Sequence, residues 1–168
     1  MKHFLAVAAV YLLLSVTTTH AQCTTLKFDD LKKISHSRFP EDLLLEKGAI
    51  KLSEKTWGLC IKVICESADS VSKRYNERLF FPSEEDSVSI SMIYYTYSQA
   101  SYTDIKNKAK DQFRFIGKET IGDVTLDFFF DGKYYYSFAV SPTRCNMANV
   151  DLNFYEVRFY REKPAYLE

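Results

Sequence analysis

The chain has 168 residues in which 22 basic side chains balance 22 acidic ones, so net charge favours neither nucleic acid nor any other polyanion as a partner. Its 13 Phe and 12 Tyr crowd into the second half, a composition suited to strands and to aromatic-lined interiors. The length suits one core, and no linker divides it.

The first residues read as an export signal. Lys2 and His3 give a polar start, Phe4 to Leu14 is an apolar run, and Thr19-His20-Ala21 closes it with small residues where cleavage needs them. Residues 1–21 are therefore read as a signal peptide, with a secreted, extracellular product starting at Gln22. The apolar run is short for a membrane span, and no later stretch approaches the ~20 apolar residues that a spanning helix requires. Without Lys2 the remaining chain carries 21 basic and 22 acidic residues.

All four cysteines, Cys23, Cys60, Cys65 and Cys145, follow the signal, and an even count in an exported chain reads as two disulfides. If Trp57 to Glu66 is a strand, Cys60 and Cys65 point to opposite faces ~16 Å apart at ~3.3 Å per residue, too far for a bridge. Two pairings survive, each joining Cys60 and Cys65 to Cys23 and Cys145. The spacing lacks a C-x-x-C pair, so no metal site is assigned.

Residues 22–56 read as an amino-terminal arm. Phe28, Leu31 and Ile34 recur at helical spacing, Pro40 breaks the pattern, and Glu41 to Leu45 begins another short helix. Residues 57–168 then carry strand signals. Trp57 to Cys65 alternates, with Leu59, Ile61 and Val63 on one face; Tyr75 to Phe81 ends at Pro82; Ser87 to Tyr97 sets Val88, Ile90, Met92 and Tyr94 against Ser89 and Ser91. Ile105 to Ile116 is ambiguous, because Lys106 to Asp111 is too polar for a core strand while Phe113 and Phe115 alternate up to a turn expected at Gly117. Any helix is expected before Trp57.

Asp123 to Val140 is the strongest hairpin. A two-residue Asp131-Gly132 turn sets Leu126 opposite Ser137 and mixes polar with apolar positions. A three-residue loop, Phe130-Asp131-Gly132, sets Leu126 opposite Tyr136, Phe128 opposite Tyr134 and Val124 opposite Phe138, and is preferred. It places Tyr136 inside and Tyr135 outside. Val150 to Arg161 is the last strand, with two apolar phases: Leu152, Phe154 and Glu156 share one face, whereas Tyr155, Val157 and Phe159 share the other. Glu156 looks inward in the first phase and is solvated in the second.

Catalytic chemistry finds little support. His36 is the only histidine after the signal and sits in the irregular arm, so Ser/His/Asp and Cys/His arrangements would both have to run through it. No glycine-rich phosphate loop, H-E-x-x-H or calcium-loop spacing is present, and Glu84, Glu85 and Asp86 read as a solvated turn. The chain is read as a binding protein that needs no cofactor, not as an enzyme.

An export signal, an arm, a cysteine-bearing strand opened by Trp57-Gly58-Leu59-Cys60-Ile61-Lys62-Val63 and then successive strands to the end is a pattern that resembles the lipocalins. The nearest flavour is the divergent salivary lipocalins of ticks, which include histamine-binding proteins. The resemblance implies an all-β fold, an antiparallel lipocalin-like β-barrel behind an arm with short helix, that sequesters a small hydrophobic molecule or a biogenic amine to blunt a host response. Tyr94, Phe128, Tyr134 and Tyr136 are then the expected pocket lining, with Glu156 as counter-charge for an amine. The competing reading is a secreted factor, a protease inhibitor or immune modulator, that binds a host protein through its surface. Thiol labelling of the unreduced, denatured secreted protein should find no free thiol, and Cys60→Ser or Cys65→Ser should cost about 2 to 5 kcal/mol; stoichiometric labelling would refute the two-bridge reading.

Overall fold

The computed structural model describes residues 25–66, 71–83, 89–145 and 150–167. Residues 1–21, read above as a signal, Cys23 and Glu84 to Asp86 lie outside these residues, as do the side chains of Cys65 and Cys145, and with them the expected disulfide pairing. The elements run α1 Phe28–Ser35, α2 Pro40–Glu46, β1 Ile50–Lys51, β2 Thr56–Glu66, β3 Val71–Phe80, β4 Ile90–Thr96, α3 Gln99–Gln112, β5 Arg114–Ile121, β6 Val124–Phe130, β7 Tyr135–Cys145 and β8 Val150–Tyr160, then a single 3-10 turn, Ala165–Leu167. The strands form one antiparallel sheet in the order β1-β2-β3-β4-β8-β7-β6-β5, with β1 and β5 as its edges.

The arm folds as its spacing requires. Phe28, Leu31 and Ile34 form the buried face of α1, and the carboxylate of Asp30 accepts the Lys27 amide at 3.1 Å, satisfying a donor that the first turn leaves open. Pro40 opens α2 because its missing N–H is no loss at a first helical position. A salt bridge of 2.7 Å from Lys47 to Asp30 joins the two helices.

The expectation that helix is confined to the arm is overturned by α3, between β4 and β5. Ser98 caps it by accepting the Ser101 amide at 3.2 Å, and Tyr102, Ile105 and Ala109 form a buried stripe at i, i+3 and i+7. The polarity of Lys106 to Asp111 is that of a helix's solvent side. The turn expected at Gly117 lies instead at Gly122-Asp123, where Gly122 takes the positive φ of 60° that such a turn needs. Gly117 sits within β5 beside a bulge.

The expected register of the β6–β7 hairpin is also corrected. Leu126 pairs with Ala139, Phe128 with Ser137 and Phe129 with Tyr136, around a four-residue loop from Asp131 to Tyr134. Asp131 is the cause: one carboxylate oxygen accepts the amides of Lys133 (2.9 Å) and Tyr134 (2.7 Å), closing an Asx turn that a shorter loop has no room for. Gly132 supplies the positive φ, 98°.

This register sends the hairpin's aromatics to two faces. Phe129, Tyr136 and Phe138 join the main cluster with Tyr94, Val157, Phe159 and the helices, whereas Leu126, Phe128, Ala139 and Tyr160 form a second cluster on the other face, packed by Ile90 and Leu167. Phe28 of α1 is wedged among Phe113, Tyr136 and Phe159 with ring centroids 5.4 to 6.0 Å apart. Tyr136 is fully buried and Tyr135 only partly, as expected, although the pairing that achieves this differs. On β2, Cys60 has a left-handed φ of 53°, so Leu59 and Cys60 both pack on the main cluster and the expected alternation breaks there. Gly58 is required because the ring of Tyr75 lies where a Cβ would be, 2.5 Å away.

Asp131 also receives the Tyr136 hydroxyl (2.7 Å) and the Lys32 ammonium (2.5 Å), so the loop is pinned to α1. Asp131→Ala removes all four bonds and should destabilise the protein by about 2 to 4 kcal/mol in urea unfolding. A loss below about 0.5 kcal/mol would mean that other contacts hold the loop.

Candidate functional site

The residues expected to line one pocket are divided by the sheet. Tyr94 and Tyr136 lie in the main cluster and Tyr134 at its margin, stacked on His36 with ring centroids 3.6 Å apart. Phe128 is on the opposite face. Glu156 is there too, because β8 takes the phase that buries Tyr155, Val157 and Phe159, and its carboxylate accepts the Nε–H of Arg158. It is a paired outer carboxylate, and no counter-charge for the main interior.

That interior holds a different one, Glu77, which the sequence reading passed over. β3 pairs with β2 so that Leu59 stands opposite Glu77, and with β4 so that Thr96 does. Leu59 and Leu79 bring Glu77 into the main cluster, and its side chain is completely buried. Signal for it existed: within the strand expected from Tyr75 to Phe81, the period of two places Glu77 on the face of Leu79.

Its environment is polar in only a few atoms. One oxygen, Oε2, accepts the Leu26 amide at 3.3 Å, whereas Oε1 and the hydroxyl of Tyr94 have no hydrogen-bond partner among the described residues. Tyr94 is close enough for its hydroxyl and the carboxyl to act on each other, but without normal bonding geometry. Burial pushes the Glu77 carboxyl up to about 7, with the Leu26 amide and the Tyr94 hydroxyl working in the other direction. The Tyr94 hydroxyl is pushed far up, first by burial and then by the charge of Glu77.

Leu26 links this carboxyl to the outside. Its amide is held by Glu77, while the residue itself lines a cleft of about 330 Å³ between the arm and α3, with Phe28, Ser101, Asp104, Ile105 and Lys108. A larger groove of about 800 Å³ at the α1–α2 corner, lined among others by Lys32, Lys33, His36 and Phe39, contains no fully buried side chain. His36 there is held below its ordinary value, by partial burial first and then by Lys32. Among the described residues no group of three or more His, Cys, Asp or Glu could hold a metal ion, and no helix is long and apolar enough to cross a membrane.

A buried carboxyl poor in donors resists ionisation, and so it couples folding to pH. The folded protein keeps the Glu77 proton up to about pH 7 and the unfolded chain loses it near 4.5, so the contribution favours folding below 4.5 and is lost as pH rises to about 7. Glu77→Gln should abolish a decline of about 3 kcal/mol over that window and raise stability at pH 8 relative to the parent. Urea midpoints measured across the window check this, and parallel pH profiles for the two proteins would refute it.

No family model matches the chain, and comparisons with curated proteins and with solved structures likewise gave no match.

Proposed function

We propose that the chain is a secreted protein that sequesters a small molecule, with its eight-stranded sheet curling toward a lipocalin-like barrel, and that the ligand carries an ammonium group on an apolar body. The observation that carries this reading is the fully buried Glu77, set in an aromatic and aliphatic interior with one oxygen and a neighbouring tyrosine hydroxyl lacking partners among the described residues. A core that only had to be full would place an apolar side chain at this position, since an unpartnered carboxyl costs free energy. An ammonium supplies the hydrogen-bond donors and the charge that the site lacks, while Leu59, Leu79 and the rings around Tyr94 suit an apolar body.

The competing reading, a factor that binds a host protein, draws on the arm's exposed apolar side chains, Phe39 (64% exposed) and Leu45 (61%). Calorimetry on refolded, delipidated protein with a panel of primary amines and fatty acids separates the two. Amines should bind, and Glu77→Gln should weaken them by roughly 2 to 5 kcal/mol while Glu156→Gln leaves them unchanged. Failure of both ligand classes to bind would transfer the function to the surface of the arm.

A further inference from the structure

Glu77 is surrounded by β2, β4 and the arm and meets no cation among the described residues. β2 brings Leu59 opposite it and Cys60, which acts on Tyr94; β4 brings Tyr94 and Thr96; the arm brings the Leu26 amide. Among the described residues no lysine, arginine or histidine acts on the carboxyl. The other titratable side chains of the main cluster answer to different partners. Tyr102 of α3 feels burial and then Asp127 and Tyr155, and Tyr136 feels burial and then Asp131 and Tyr134. Tyr94, with its own ionisation pushed far up, remains a neutral phenol. Among the described residues nothing else settles the carboxyl, which leaves a proton on Glu77 itself or a cation brought from outside.

Resting on the ligand reading above, we propose that this interior exchanges a proton for its ligand, so that Glu77 is protonated in the ligand-free protein and each ammonium that enters expels one proton to solvent. The carboxyl O–H bond breaks, the proton passes to water, and the ammonium keeps its hydrogens and donates them to the carboxylate. Below about pH 7 the charge of the buried site is zero before and after, so there the low-dielectric interior holds no unbalanced ion. Capture is favoured at neutral pH and release at acid pH. The carboxyl's shift to about 7 places the exchange within the range over which a secreted protein meets acid and neutral surroundings.

The probe is 2-phenylethylamine, an aromatic primary amine that stays charged from about pH 5 to about pH 8. Its affinity should rise roughly 100-fold across that interval. The heat of binding near pH 6, compared in phosphate and in Bis-Tris, should report about one proton released per probe. Glu77→Gln should bind weakly with neither pH dependence nor proton release, and the stability profile of the same variant shows that it is folded. Affinity that is flat with pH, or equal heats in the two buffers, overturns the exchange and leaves the ligand reading standing. If neither the probe nor any other amine binds the parent protein at any pH, both fall.

Discussion

The carboxylate of Asp131 is the contact on which the arrangement of the interior depends. Two backbone amides, a tyrosine hydroxyl and a lysine ammonium converge on it within 2.9 Å, and its side chain is 5% exposed. Those donors hold it well below the usual carboxylate range, against the opposing effect of burial. The amides fix the loop length and so the register, which decides that Phe129 and Tyr136 face the helices while Phe128 turns away. Lys32 then anchors α1 at the same point, which seats Phe28 among Phe113, Tyr136 and Phe159. One short polar residue therefore sets both the facing of the sheet and the docking of the arm.

Legibility of the fold in the sequence follows how local each signal is. The stripe Phe28, Leu31, Ile34, the break at Pro40 and the last strand from Val150 are patterns of one period within one element, and each formed where the spacing placed it. The hairpin failed to read correctly because its register is decided by Asp131's side-chain bonds, including one from a residue 99 positions earlier in the chain. The helix α3 was hidden by its polarity. Three buried residues in fourteen make a weak apolar stripe, and its cap at Ser98 follows directly on a strand.

Bulges account for most of the remaining differences. Between Ile90 and Met92 the pairing of β4 shifts, so Ile90 packs on the second cluster and Met92 on the main one, and Ser91 is buried with its hydroxyl donating to the Phe159 carbonyl at 3.1 Å. A strict period of two had put Ile90 and Met92 on one face. The burial of Tyr94 and Tyr136 was legible because each continues an apolar period of two, with Met92 and with Phe138. The carboxylate was legible at Glu77, which shares a period of two with Tyr75 and Leu79 between the polar Asn76 and Arg78, whereas Glu156 lies between Tyr155 and Val157 and only the phase of its strand tells which way it faces. Arg158, two residues from Glu156, is the local clue that Glu156 already has a partner.

Glu77 and the side chain of Asp131, both enclosed, stand in opposite situations. Asp131 is saturated with donors, two from its own loop, so it stays charged and its bonds are rigid geometry. Glu77 has one long bond to a backbone amide and an oxygen without a partner among the described residues, so the same burial that strengthens bonds at Asp131 raises the free energy of the charged state at Glu77. Folding gains little from such a group. Its position is nonetheless tightly determined, by Leu59 on one side, Thr96 on the other and the arm above it. The proposed ligand reading rests on this costly polar group, held between β2, β4 and the arm with one oxygen lacking a partner among the described residues, whereas Asp131 is arranged as a structural carboxylate.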